Sequence, residues 1–296
     1  MSAAGLLTGR LTSASYTAGW ALVRALPEGL AQRAFRVAAD LAFRKGGKGV
    51  DRLRANLARV APGQELTRAA MRSYGRYWCE VFRLEATPTE RIVARTEIVD
   101  EPRFRAALAL PTGLVLALPH TGNWDAAGAW CGATGAPFTT VAERLEPESL
   151  FERFVAFRES LGMEVLPLTG GPRPPYDVLT ERLLAGGTIC LLGDRDLTPR
   201  GVEVDFFGAR TRMPAGPAAL SLATGATLLP VTLSFTPGGW RVRFHEAVAH
   251  TDVPTMTQAV ADAFAAGIAE APQDWHMLQR LWLDDLAAGD PRKVPA

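Results

Sequence analysis

Five short apolar runs recur along residues 106–296, and they constrain the fold more than any other feature of the sequence. They are Leu114–Leu118, Phe138–Val141, Val165–Leu168, Thr188–Leu192 and Leu228–Phe235. Between them lie segments whose apolar residues recur at three- and four-residue spacing, predicting helices at Trp124–Gly132, Glu148–Leu161, Tyr176–Ala185 and Gly216–Ala223. Short runs alternating with amphipathic helices are the layout of βαβ units around a largely parallel sheet. Trp240, Val242 and Phe244 alternate with Arg241, Arg243 and His245 and predict a half-exposed strand. Two closing helices are predicted near Thr255–Ala271 and Asp274–Ala288.

Residues 1–95 read differently. Ala18–Leu26, Gly29–Phe43, Val50–Val60 and Leu66–Leu84 show helical periodicity, with Pro27, Gly46, Gly47 and Pro62 as breaks. With 48% apolar residues there is ample material for a core, and neither a repeat nor a clear linker divides the chain. The expectation is one domain over residues 1–296. It is of α/β class, with a mostly parallel central sheet flanked by helices, an N-terminal helical layer (1–95) and an α/β part (106–296). Met213–Trp240 carries no charge and is long enough to span a bilayer, but Pro214, Gly216, Pro217, Gly225, Pro230, Pro237, Gly238 and Gly239 interrupt it. It reads as core helix, turn and strand.

The net charge of +1 argues against a general nucleic-acid binder, which carries a clear basic excess. Its distribution is uneven. Residues 1–60 hold ten Lys or Arg, among them Arg33, Arg36, Arg44, Lys45 and Arg52, against Glu28, Asp40 and Asp51. A basic amphipathic start suits a protein held on an anionic bilayer, although a solvated helix face has the same composition. Cys79, Cys131 and Cys190 are odd in number and at no metal-ligand spacing, which speaks for a reducing compartment rather than a disulfide framework. Met1–Tyr16 has no compact apolar block with a cleavage site, so no signal peptide is expected and the chain is expected to stay in the cytoplasm.

In open α/β sheets, ligands gather beyond the carboxyl ends of the parallel strands. Two of those ends are rich in polar residues: Pro119-His120-Thr121-Gly122-Asn123-Trp124-Asp125 and Gly193-Asp194-Arg195-Asp196. On a continuous helix, His120 and Asp125 would point about 140° apart. If His120 sits on the strand-to-helix turn, with Thr121 or Asn123 as cap and Gly122 allowing the reversal, the Asp125 carboxylate can reach back to the ring. A carboxylate on one imidazole nitrogen fixes the tautomer and leaves the other nitrogen to take a proton from a hydroxyl. The alternative is a core histidine that happens to have a partner. The helix N-terminus beside His120 suits either a phosphate or a developing oxyanion.

Asp194 is placed to orient His120 from its other side, unless it pairs with Arg195 merely to close a loop. Arg158 follows Phe151, Phe154 and Val155 on one helical stripe. A guanidinium on an inward face needs an anionic partner, be it a carrier phosphate, a lipid phosphate or a site carboxylate, unless it snorkels out. Arg200, Arg210 and Arg212 crowd the loop after the second cluster, and Arg200 is a candidate for phosphate contact. The chain has no G-x-S-x-G elbow, no P-loop, no G-x-G-x-x-G after a strand and no H-E-x-x-H. Cys131 and Cys190 read as packing thiols.

The run Leu118-Pro119-His120-Thr121-Gly122-Asn123-Trp124-Asp125 resembles the H-x-x-x-x-D box of the glycerolipid and lipid A acyltransferase superfamily, in the H-x-G-N-W-[DE] form of the lipid A lauroyl/myristoyl branch. Thr140–Leu145, Val165–Gly171, Val204–Gly208, Arg212–Pro217 and Asp274–Gln279 resemble one subgroup, the phosphatidylinositol mannoside acyltransferases. The likeness covers nearly the whole chain. It implies transfer of a long acyl group, typically palmitoyl, from acyl-CoA as co-substrate to the 6-hydroxyl of a mannose of phosphatidylinositol mannoside. The implied place is peripheral, on the cytoplasmic face of the inner membrane, with no cofactor and no metal. It further implies that His120 is the proton acceptor, that the position of Asp194, commonly Glu in the family, bonds to it, and that Arg158 belongs to the acyl-donor site.

The catalytic set expected is therefore His120, Asp125 and Asp194, with Arg158, Arg195 and Arg200 binding acyl-CoA or phosphate. The acyl groove is expected along Phe206, Phe207 and the uncharged stretch after Met213. Two rivals differ in class. A glycosyltransferase would use Asp194-Arg195-Asp196 to hold a divalent cation on a sugar nucleotide. A non-enzymatic lipid-binding protein of the envelope would need only a groove and basic helices.

Overall fold

The computed structural model describes residues 19–196, 198, 200–290 and 293; Met1–Tyr16, searched above for a leader, and Ala18 lie outside the described residues. The chain opens with helices α1 (residues 19–25), α2 (Glu28–Lys45), α3 (Lys48–Val60), α4 (Thr67–Leu84) and α5 (Thr89–Arg95). Short elements follow: β1 (Thr96–Val99), α6 (Glu101–Leu108), β2 (Leu114–Leu118), α7 (Trp124–Ala133), β3 (Phe138–Ala142), α8 (Glu148–Ser160), β4 (Met163–Pro167), α9 (Pro175–Leu184) and β5 (Thr188–Leu192). The C-terminal part adds β6 (Val202–Phe206), β7 (Ala209–Met213), α10 (Gly216–Thr224), β8 (Thr227–Phe235), β9 (Trp240–Phe244) and α11 (Val253–Glu270).

Seven strands form one sheet in the order β1-β9-β8-β2-β5-β3-β4, and β8–β9 is its antiparallel pair. The α/β class and the mostly parallel sheet flanked by helices are as the sequence predicts. β2 lies between β8 and β5 and is buried at all five positions, so its run has no polar alternation. Leu114, Leu116 and Leu118 enter a core with Phe104, Trp130 and Phe138. Val115 and Ala117 face the opposite core with Ile189, Phe264 and Trp275. The stretch from Met213 to Trp240 is core helix α10 and strand β8, and among the described residues no helix is long and apolar enough to cross a membrane.

Three features depart from expectation. β1 and α6 were not foreseen, because Thr96-Glu97-Ile98-Val99 is short and half polar; as an edge strand paired with β9 it needs no continuous apolar run. β6 and β7 form a separate hairpin, turning through Phe207 (φ 50°) and Gly208 (φ 74°). The helix predicted at Asp274–Ala288 is absent. That segment holds only 3-10 turns at Pro272–Asp274 and Leu283–Asp285, and buries Trp275, Met277, Leu281 and Trp282 from an irregular path. Asn56, buried on α3, donates to the carbonyls of Met277 (2.7 Å) and Gln279 (2.9 Å), supplying the bonds a helix would have made internally.

Candidate active site

The parallel register of β2 and β5 assembles the site. Leu118 stands opposite Leu192, and the Gly193 N–H donates to the Leu118 carbonyl at 2.8 Å, so the polar residues that leave the two strands emerge side by side. Asp194 Oδ1 meets His120 Nδ1 at 2.5 Å, and Asp194 Oδ2 accepts from the His120 N–H (3.0 Å) and from Trp275 Nε1 (2.9 Å). Burial of Asp194 works to raise its pKa. The electrostatic pull of His120 and the bonds from its ring, from Trp275 and from the His120 backbone outweigh that, and the net shift is downward. An ionised carboxylate only accepts, so His120 carries its hydrogen on Nδ1 and presents a lone pair at Nε2. The His120 side chain retains 18% of its exposure while Asp194 retains none.

The turn that carries His120 is tightly built. Gly122 adopts φ +53°, and a Cβ there would come within 3.0 Å of the Leu233 backbone, so both conformation and space call for glycine. Asn123 is the cap: its Oδ1 accepts from Ala126 N at 3.0 Å, while its Nδ2 donates to Glu80 on α4. Glu80 also accepts from Trp240 Nε1 and pairs with Arg76, tying α4, β9 and the turn together.

Asp125 does not support His120, contrary to expectation. Its carboxylate points the other way, accepting from Arg158 Nε (2.8 Å) and the Tyr77 hydroxyl (3.0 Å). The nitrogen of His120 that it was expected to hold is already taken by Asp194, and the Trp124 indole packs edge-on to the His120 ring at 5.6 Å. Arg158 thus finds a site carboxylate, one of the three partners considered. Desolvation opposes its charge, but the nearby Asp125 more than compensates and raises its pKa, while burial and Asp125 push Tyr77 well up. Cys190 and Cys131 are pushed up by burial, Cys131 to about 12, so neither offers a thiolate.

His120, Arg158 and Arg195 line one cleft of about 340 Å³. Its apolar wall comes from Tyr74, Tyr77 and Trp78 on α4, Trp124 on α7, Phe151 and Phe154 on α8, and Leu278. The expected groove along Phe206, Phe207 and the stretch after Met213 is not there: Phe206 packs against Trp275 and Trp282, and the later residues fill the core. Arg200 is also misplaced. It stands exposed on the loop after β5, outside the cleft lining. Asp196 turns from the cleft to accept from Thr198 N, and no group of three or more potential metal ligands occurs among the described residues. A larger cleft of about 520 Å³, bordered by Lys48, Arg52, Asn56 and Arg280, has no histidine.

Sequence reasoning missed Tyr77, Trp275 and His276 as parts of the site. The first sits on an aromatic helix face that reads as ordinary core. The other two lie on the irregular segment, where no periodicity marks which side chains turn inward.

A carboxylate-oriented imidazole open to an aromatic cleft, at the carboxyl ends of parallel strands, can deprotonate a hydroxyl. The chain belongs to the bacterial lipid A biosynthesis acyltransferase family, whose model matches residues 5–284, and it is an acyltransferase. It is 53% identical over 289 residues to the phosphatidylinositol mannoside acyltransferase of Mycolicibacterium smegmatis, covering 95% of this chain and 94% of that one. To the phosphatidylinositol mannoside acyltransferase of Mycobacterium tuberculosis it is 50% identical over 296 residues, covering 95% and 92%. A crystal structure of the 1-acyl-sn-glycerophosphate acyltransferase from Thermotoga maritima is similar at a TM-score of 0.42 and 13% identity, over 84% of this chain and 99% of that one.

Proposed function

We propose that this acyltransferase moves a long-chain acyl group, palmitoyl, from acyl-CoA to the 6-hydroxyl of a mannose of phosphatidylinositol mannoside. The observation that carries the reading is the His120–Asp194 pair, which leaves Nε2 as a base at the cleft. His120 Nε2 takes the hydroxyl proton as the oxygen attacks the thioester carbonyl. The tetrahedral oxyanion then collapses, the carbon–sulfur bond breaks, and the imidazolium returns the proton to the departing thiolate. Asp194 stabilises the imidazolium throughout. The thioester is already activated, so neither an acyl-enzyme nor a cofactor is required.

Arg158 spends Nε on Asp125 and keeps its terminal amino groups for the donor's phosphates or the oxyanion, with Arg195 beside it. Asp125 is then a positioning residue, acting through Arg158. The acyl chain lies along Trp78, Phe151, Phe154 and Leu278.

The protein works from an anionic membrane surface, peripherally, at the cytoplasmic face of the inner membrane. Supporting this, Leu30, Val37 and Leu41 stand 52%, 57% and 57% exposed on one stripe of α2, next to Leu22 at 62% on α1. Exposed Arg33, Arg44 and Lys45 flank that stripe, an apolar face with a basic margin of the kind that settles into lipid. The glycosyltransferase reading is less favoured, since both Asp194 oxygens are already committed to His120 and Trp275.

The test is CoA release from palmitoyl-CoA by purified protein, with and without phosphatidylinositol mannoside, the lipids then being weighed by mass spectrometry. Acceptor-dependent release with a palmitoyl-sized mass gain is expected. Release without any gain on the acceptor would refute the assignment of substrate.

A further inference from the structure

In the cleft wall lies a second histidine that the proposed chemistry does not use. His276 is 6% exposed, forms part of the cleft lining, and donates its backbone N–H to the His120 carbonyl at 2.8 Å. Its Nε2 stands 3.1 Å from Ser73 Oγ, and Ser73 donates to Asp274 Oδ1 at 2.7 Å. The other Asp274 oxygen accepts from the Phe235 N–H at 2.8 Å. The second ring nitrogen of His276, Nδ1, is buried and has no partner.

Counting hydrogens decides the state of the ring. Burial raises the Asp274 pKa, opposed by the bonds from the Phe235 N–H and from Ser73. As a carboxylate Asp274 takes the one hydroxyl hydrogen of Ser73, so toward His276 Ser73 can only accept and Nε2 carries a hydrogen. Burial pushes the His276 pKa down to about 3, so the imidazole is neutral and, with its hydrogen on Nε2, Nδ1 is a bare lone pair. A buried polar atom without a partner is uncommon and calls for an explanation. The residues beside it include two more such atoms, Trp124 Nε1, a donor, and Gln279 Oε1, an acceptor. A set of unmatched donors and acceptors in one wall suits a ligand that bears several hydroxyls, since each hydroxyl both donates and accepts. Aromatic faces of Tyr74 and Trp124 beside His276 add a surface on which a sugar ring can lie.

We propose that Ser73 and Asp274 are positioning residues that lock His276 into the Nε2–H tautomer, so that Nδ1 accepts a hydrogen bond from a hydroxyl of the carbohydrate acceptor. This rests on the glycolipid reading above. The half-buried Tyr74 ring, whose centre is 5.3 Å from the imidazole, lines the same cleft beside His276. In this arrangement His120 activates one hydroxyl and His276 holds another, which fixes the register of the sugar relative to the thioester.

The experiment has two parts. In the first, ¹⁵N shifts of the wild-type histidines, with His276 assigned by its loss in His276→Gln, report the tautomer directly and need no substrate. An Nε2–H ring is expected, and an Nδ1–H ring would overturn the proposal. In the second, Ser73→Ala is compared with Ser73→Thr, which keeps the hydroxyl. The acceptor KM is expected to rise about five- to tenfold in Ser73→Ala, the worth of one hydrogen bond, with most of it recovered in Ser73→Thr. Ser73→Ala combined with His276→Gln is expected to be no worse than His276→Gln alone, because both act through one ring. Additive losses, or a fall in kcat with acceptor KM unmoved, would refute the role. If no glycolipid is acylated at all, the substrate reading fails while the ¹⁵N result still judges the tautomer lock.

Discussion

Two regions of this molecule invert the usual rule of apolar inside and polar outside, and they do so with opposite compensation. At the ends of β2 and β5 charged and polar groups are inside: Asp194, Asp125, Asn123 and Asp274 are almost fully buried. Each is matched by partners within 3.0 Å. On α2 apolar groups are outside, and among the described residues none covers Leu30, Val37 or Leu41. The four buried polar groups are satisfied internally, and the product is a fixed, oriented base. The α2 stripe has no apolar cover among the described residues, the kind of exposed apolar face that the proposed membrane surface would cover.

If that contrast is right, the largest effects belong to the buried region. His120→Ala is expected to cost about 10²- to 10⁴-fold in kcat/KM in the CoA-release assay, the range for a positioned base; activity within a few-fold of wild type would remove His120 from the chemistry. Asp194→Asn keeps the shape but cannot anchor the Nδ1–H tautomer in the same way. Its loss should approach that of His120→Ala, without a comparable loss of folded protein by circular dichroism.

Asp125→Ala tests a different part of the same region. It strands Arg158 in a largely buried place and should lower stability by about 3–5 kcal/mol, the range for breaking a buried ion pair from one side. Chemical denaturation measures this. A loss under about 1 kcal/mol would mean the pair is open to water.

Acidification probes the buried region again, through His276. Its folded pKa, about 3, lies below the usual histidine value of 6.5. Between the two the unfolded chain binds the extra proton, so stability falls as pH drops from about 6.5 toward about 3. The acid-induced drop in Tm between pH 7 and pH 5 should therefore be smaller in His276→Gln than in wild type. An equal drop in both would place the acid sensitivity elsewhere.

The smallest effect on chemistry, yet the sharpest test of the contrast, comes from α2. Leu30→Ser, Val37→Ser and Leu41→Ser combined should leave Tm nearly unchanged while weakening flotation with anionic vesicles about tenfold or more. Raised salt should weaken it further through Arg33, Arg44 and Lys45. A large fall in Tm would show that the stripe is covered after all.

Much of this was legible before any coordinates. Leu114–Leu118 and Thr188–Leu192 are apolar because they are buried interior strands, so periodicity found them and pointed to the residues at their ends. Asp125 misled because spacing gives the distance along the chain but not the competitor: Asp194 arrives from 74 positions away and takes the nitrogen first. The Asp274–Ala288 segment misled for a related reason. Its buried Trp275, Met277 and Trp282 obey no helical period, because Asn56 and the core, rather than local hydrogen bonds, shape its path.

By itself, then, the sequence determined the class of fold, the strand ends where chemistry sits, and the presence of a histidine, two carboxylates and an inward arginine near one another. Local pattern suffices for these, since burial period and turn chemistry are written residue by residue. Which carboxylate holds which cation, which aromatic faces line the cleft, and that a second histidine stands beside the first came from the packing of distant segments. Those are pairings between residues far apart in the chain, and they follow from strand register and packing, which no short window contains.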